Sequence, residues 1–187
     1  LNSKFKQTRV IDVNKESQQS IFHISSILFA RDAAKKHKFD RRLKVAEDAK
    51  YVNEVLLNKK KYGVLSNTTL YYRKRSDNSS AISTKMSNRS YFVDTPKLFL
   101  DYLIDIWTSG DVVHRYIQHL VMNDIAWKIS EENNQSVLTD TEVAAYKQHI
   151  YDIASKIDDD ILLSNKILNL DQKTFLLRKK YGNKKYE

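Results

Sequence analysis

Cysteine is absent from this sequence of 187 residues, proline occurs once and glycine three times. Without cysteine there is no disulfide framework and no thiolate metal site, and a reducing compartment is the simplest setting. So little glycine and proline disfavours a many-turned all-β sandwich or barrel and favours long uninterrupted helices. No apolar run reaches the roughly 18 residues that would span a bilayer. There is no signal peptide, and the chain opens at Leu1 rather than at a methionine, so it reads as an excerpt of a longer protein. A P-loop, a G-x-G-x-x-G fingerprint and a G-x-S-x-G elbow are all lacking. No fixed internal repeat and no low-complexity segment occurs.

What is present is 41% hydrophobic residues, enough for a real core, and a formal net charge of +9. The charge is unevenly placed. Lys and Arg outnumber Asp and Glu by 21 to 9 over residues 1–100, whereas residues 101–187 carry 11 against 14. The first half is therefore the expected anion handler. Residues 172–187 hold six basic residues against Glu187 alone, which reads as a solvated tail or an anionic-surface contact.

Hydrophobic periodicity divides the chain near Tyr91. Val10 to Val13 suits a short strand, and the apolar, β-branched run Ile21 to Phe29 suits a buried strand or strand-to-helix junction. A short helix is expected over Ala30 to His37, with Phe39 and Leu43 as core anchors of the following loop. From Glu47, the positions Tyr51, Val52, Val55 and Leu56 share one helical face, ended by Lys59-Lys60-Lys61 and Gly63. One or two strands are expected over Val64 to Tyr72, and Lys74 to Arg89 reads as a polar loop.

Pro96 suits the first position of a helix whose apolar face is Leu98, Phe99, Tyr102, Leu103 and Ile106. Further helices are expected at about 111–133, 140–157, 159–168 and 172–181. Thr139 and Glu142 match a capping box. The aromatic residues of these helices, Tyr102, Trp107, Tyr116, Trp127, Tyr146 and Tyr151, read as core and packing surface. The fold class is α+β and helix-rich, in two regions, 1–92 and 93–187, that pack together.

Two features could carry chemistry. Glu47-Asp48 at a helix start could accept a proton from a substrate hydroxyl; the plainer reading is an ordinary acidic first turn. Tyr71-Tyr72-Arg73-Lys74-Arg75, running into Ser76, Ser79 and Ser80, supplies donors suited to phosphate oxygens. Its plainer reading is a solvated hairpin end, and aromatic rings beside arginines also suit a nucleic acid. His23 reads as a core histidine and only secondarily as a site residue. His114 and His119, five apart, lack the i, i+4 spacing of a helical zinc pair.

FHISSILFARDAAKKHKFDRRLKVAEDAKYV followed by YGVLSNTTLYYRKRSDNSSA resembles the acceptor-side half of family 2 glycosyltransferases of the GT-A fold, in bacterial enzymes that build capsular, teichoic or other surface polymers. The likeness covers residues 20–95. It rests on the run F-D-x-R-L-x-x-x-E-D over Phe39 to Asp48 and on Y-Y-R-x-R over Tyr71 to Arg75. The helical region beyond resembles, less specifically, the C-terminal extension of such enzymes. The fold implied is a partial GT-A (α/β) half-domain over 1–92, then an all-α helical region over 93–187.

The resemblance implies that Asp48 is the general base, that Glu47 orients the acceptor, and that Arg73, Arg75, Ser79 and Ser80 lie over the diphosphate of a nucleotide sugar, taken to be a UDP-sugar. The reaction implied is transfer with inversion to a hydroxyl of a polysaccharide or polyol-phosphate acceptor. Family members hold a divalent metal, Mg or Mn, through an Asp-x-Asp motif in an N-terminal half. Asp158-Asp159-Asp160 contains that pattern but falls among the C-terminal helices, so no metal ligand is assigned. The chain is thus expected to be an inactive C-terminal part of a cytoplasmic enzyme, peripheral at the inner face of the membrane, with homo-oligomers open. A basic nucleic-acid-binding module using Tyr71 to Arg75 is the alternative. It is disfavoured because Glu47-Asp48 would repel phosphate, and no nucleic acid is expected as partner.

Overall fold

Buried positions between Tyr91 and Trp107 recur every fourth residue, as two parallel rows: Tyr91, Thr95, Phe99, Leu103, Trp107 and Phe92, Pro96, Leu100, Ile104. An α-helix advances 3.6 residues per turn, so such rows would drift round it by about 40° per step. The computed structural model, which describes residues 3–71, 85–130 and 137–182, removes the drift with a wider turn. Helix α3 (Arg89–Thr95) runs into a π-helical segment, Pro96–Asp101, which runs into α4 (Tyr102–Ile106). More residues per turn in the π segment let both rows face one way. Pro96, read from sequence as a helix start, thus lies inside a continuous rod. Its missing N–H and bulky ring, which would break an α-helical ladder, are accommodated by that π segment.

Around the rod, β1 (Arg9–Asp12) precedes α1 (Arg31–Ala34), α2 (Glu47–Lys59) and β2 (Lys61–Val64). β1 and β2 pair antiparallel, with Arg9 opposite Val64 and Asp12 opposite Lys61, so the chain from Val13 to Lys60 is closed at its base. Ile11 and Val13 are fully buried while Val10 faces outward, the alternation of a half-buried strand. After α4, a hairpin of β3 (Thr108–Ser109) and β4 (Val112–Val113) turns through Gly110 at φ +60, a conformation glycine adopts without steric cost.

Helices α5 (Arg115–Ser130), α6 (Asp140–Ser155), α7 (Asp159–Ser164) and α8 (Leu170–Tyr181) complete the fold. α5 packs on α4, α6 and α7; α6 packs on α8 and on the π segment. One core runs through Val13, Leu56, Phe92, Phe99, Tyr116, Leu120, Ile125, Ile153 and Leu176. Each large side chain buried there contributes about 1.5–3 kcal/mol.

The helix-rich α+β class is as expected, and among the described residues both sheets are two-stranded. Several local readings are corrected. Ile21 to Phe29 is neither a strand nor fully buried: it is irregular, Phe22 packs half-buried against the core, His23 is exposed, and Leu28 is 95% exposed. Ile21 and Ile24 hydrogen-bond to side chains distant in sequence instead of to a strand partner. The strand expected over 64–72 lies earlier, at 61–64, and residues 65–71 are irregular. The helix expected from 111 begins at 115, after the hairpin. Those at 30–37 and 159–168 shorten to single-turn α1 and to α7, while the expected helix at 172–181 starts two residues earlier. The capping box on α6 is formed as read.

Candidate active site

Helix α2 begins without a side-chain cap from the residue before it. Ala46 is left-handed (φ 70, ψ 9), a conformation that costs a non-glycine residue about 1–2 kcal/mol. Glu47 and Asp48 follow in the first turn, where carboxylates oppose the positive end of the helix dipole. Asp48 replaces the missing cap: its Oδ1 accepts the Ala49 N–H at 2.7 Å and its Oδ2 the Ile24 N–H at 3.5 Å. Strained backbone persists only where surrounding structure holds it, and such strain clusters at functional sites.

What holds it is a strap. The chain from Ile21 to Ile24 lies along α2, with the Ile21 N–H donating to the Tyr116 hydroxyl at 3.2 Å. Asn53, fully buried, donates to the carbonyls of Ile21 (3.1 Å) and Ala49 (2.7 Å). Asp48 is the last of these fasteners, and exposed His23 lies between the residues they fix.

The other side of α2 carries charge. Lys50, 5% exposed, sets its Nζ 2.8 Å from Asp40 and 3.8 Å from the centre of the Tyr102 ring. Asp40 is shared with Arg42, at 2.7 and 2.9 Å. Hydrogen bonds from Arg42, and then from Lys50, hold the Asp40 carboxyl well below the usual carboxylate range. Burial, aided by the neighbouring Glu54 carboxylate, pushes the Tyr102 hydroxyl up to about 12. Glu54 also lies 3.7 Å from His37.

Above this pair stands Tyr51. Phe39 stacks on it at 4.5 Å and 7° from parallel, Phe29 and His37 meet it edge-on, and its hydroxyl donates to the Ala34 carbonyl at 3.0 Å. His37, Lys38, Phe39, Arg41 and Tyr51 line an open cleft of about 740 Å³. Phe39, read from sequence as a core anchor, is 48% exposed at its rim, whereas Leu43 is buried as expected.

Of the residues singled out in sequence, the structure places Glu47 and Asp48, both half-buried, on this helix start. Arg73, Arg75, Ser79 and Ser80 lie outside the described residues; Tyr71, 92% exposed, is the last residue before them. Asp158 and Asp160 are bound by Arg115, and Asp159 by Lys180 at 2.7 Å and Tyr181 at 2.9 Å, so all three serve helix packing. Sequence reasoning missed Asp40, Lys50 and Asn53. A lysine and an asparagine within an otherwise apolar helical face were the available signal.

Among the described residues no helix is long and apolar enough to cross a membrane. No family model matches the chain, and no solved structure matches it. Two curated relatives do, both from Bacillus subtilis. The minor teichoic acid biosynthesis protein GgaB is 34% identical over 97% of this chain and 20% of its own length. The minor teichoic acid biosynthesis protein GgaA is 26% identical over 79% of this chain and 36% of its own. The chain spans about a fifth of the length of the one and about a third of the other, and it is similar to proteins named for the biosynthesis of teichoic acid.

Proposed function

We propose that this chain is the acceptor-side part of an inverting glycosyltransferase of the family 2, GT-A type, acting in the synthesis of a teichoic-acid-like surface polymer. The observation that carries the reading is likeness over 97% of the chain to a protein named for teichoic acid biosynthesis. The geometry of α2 supports it. A carboxylate fixed at a strained helix start, in reach of solvent, has the character of a general base.

In this reading the acceptor hydroxyl gives its proton to Asp48 as its oxygen attacks the anomeric carbon of a UDP-sugar. The new bond forms on the face opposite the departing diphosphate, whose oxygen takes the electron pair of the broken bond. Glu47 orients the acceptor. Arg73, Arg75, Ser79 and Ser80 receive the charge that develops on the diphosphate.

A divalent cation, Mg or Mn, would neutralise part of that charge. Among the described residues no group of three His, Asp or Glu side chains stands close enough to hold one. The metal and most donor contacts are assigned to parts of the full-length protein outside this chain, and the 187 residues alone are expected not to transfer sugar. A cytoplasmic place at the inner face of the membrane, with the basic C-terminal end against it, belongs to the same reading.

The test is Asp48→Asn in the full-length protein, with transfer from a UDP-sugar as readout. Loss of a positioned base should lower kcat by about 10²–10⁴ with circular dichroism unchanged. A variant that transfers at the parent rate would refute the base assignment, and turnover by the isolated chain would refute its incompleteness.

A further inference from the structure

A cleft opens beside α2, and nothing in the reaction above uses it. Its rim is one exposed aromatic face: Phe39 is 48% exposed, yet its ring is held parallel on Tyr51. Tyr51 is itself fixed by Ala34, Phe29 and His37. A ring immobilised before binding loses little entropy when a flat, apolar surface lies on it. Lys38 and Arg41 flank it, both exposed, and neither meets a carboxylate among the described residues.

The charge around it is one-sided. Residues 31–44 hold seven Lys or Arg against Asp32 and Asp40, and Asp40 is already neutralised by Arg42 and Lys50. That neutralisation leaves Arg41 and Lys38 to a ligand from solution. A volume of about 740 Å³ admits a few units of a slender chain, within the range of about 300–1,000 Å³ usual for small-ligand sites.

We propose that this cleft is a binding subsite for a phosphodiester-linked carbohydrate chain. A sugar or polyol unit lies on the free face of Phe39, and the phosphates on either side pair with Arg41, through its planar fork, and with Lys38. The class of ligand rests on the teichoic-acid reading above, because such polymers alternate uncharged polyol or sugar units with phosphates. In the lining of the cleft the aromatic residue lies in sequence between the two cations, Lys38 and Arg41, the order of groups that this alternation calls for. A single-stranded nucleic acid is the competing polyanion, but it favours successive platforms for successive bases, and Phe39 covers from that side the one ring stacked with it among the described residues, Tyr51.

The probe is lipid-free poly(glycerol phosphate) bearing sugar substituents, titrated calorimetrically into the 187-residue chain and into the full-length protein. Dextran and oligothymidine are the comparisons. Binding should weaken as salt rises, and Arg41→Ala with Lys38→Ala should lower affinity about tenfold or more. Phe39→Ala should also weaken it with circular dichroism unchanged, whereas Lys147→Ala with Lys166→Ala, an equal loss of charge on the helical side, should leave it near the parent value.

Equal affinity in the cleft variants overturns the proposal, and so does tighter binding of oligothymidine than of the phosphate polymer. The two readings fail separately. If Asp48→Asn abolishes transfer but the cleft variants leave KM for the polymer unchanged, the subsite falls and the reaction stands. If no transfer is found but polymer binding depends on Phe39 and Arg41, the subsite stands and the reaction falls.

Discussion

Lys50 and Asp40 meet at 2.8 Å with side chains only 6% and 11% exposed, an ion pair inside the fold that Arg42 completes from the solvent side. Removing one partner of a buried pair leaves an uncompensated charge, at a cost of about 3–5 kcal/mol. Asp40→Asn should therefore lower the free energy of unfolding in urea by about 3 kcal/mol. Lys50→Met should cost less, because Asp40 keeps Arg42, which is exposed and can remain hydrated. Equal losses in the two variants would contradict this asymmetry.

The same pair sets an acid limit. Asp40 has its carboxyl lowered in the folded state by Arg42 and Lys50. A lowered folded value stabilises fully above the ordinary carboxylate value of about 3.9, and that stability is lost as pH falls from there through the folded value. Urea midpoints measured downward from pH 5 should decline through and below that point, and Asp40→Asn should decline less over the same interval. Parallel curves would show that Asp40 is not the titrating group.

Ala46 offers a test of stored strain. Glycine takes φ +70 without the penalty a β-carbon brings, so Ala46→Gly should raise stability by about 1 kcal/mol despite its greater freedom when unfolded. If the strain serves to aim Asp48, the more stable protein should be the slower enzyme in the full-length context. A thermal midpoint below the parent would show that Ala46 is not under strain.

At the other end of the fold, Thr139 accepts the Glu142 N–H at 3.3 Å while Glu142 accepts the Thr139 N–H at 3.0 Å. Glu142 is also gripped by Arg89 of α3, so this cap joins two helices. Thr139→Ala should cost about 1 kcal/mol, read by thermal unfolding. Arg89→Ala in that background should add little beyond it, because the grip faces solvent.

Legibility in the sequence followed the range of the interactions. The α6 capping box and the acidic start of α2 depend on residues a few positions apart, and both could be read directly. Ile21 to Phe29 could not. Its apolar, β-branched composition suits a strand, but the partners that satisfy Ile21 are Asn53 and Tyr116, distant in sequence and invisible to local pattern. Buried Lys50 was hidden for the same reason, since its counter-charge sits in a loop ten residues earlier. Phe39 reads as core because composition does not distinguish an aromatic ring that seals a core from one held out at a rim. Pro96 suits a helix start, its commonest role, and only the recurrence of buried residues at every fourth position on both sides of it reveals the wider turn.

That wider turn makes the rod from Arg89 to Trp107 behave like a gear rack with a fixed pitch. A substitution alters one tooth. Deleting a single residue between Pro96 and Asp101 would return that turn to ordinary α geometry and leave the two flanks nearly in step, whereas inserting one there would turn everything beyond it by about 100°, sending Leu103 and Ile104 toward solvent and pulling Tyr102 off Lys50. The cation on α2 and the Asp101–His149 contact on α6 are thus kept in step by the extra residue of that wider turn, and the rod should admit changes of letter far more readily than added length.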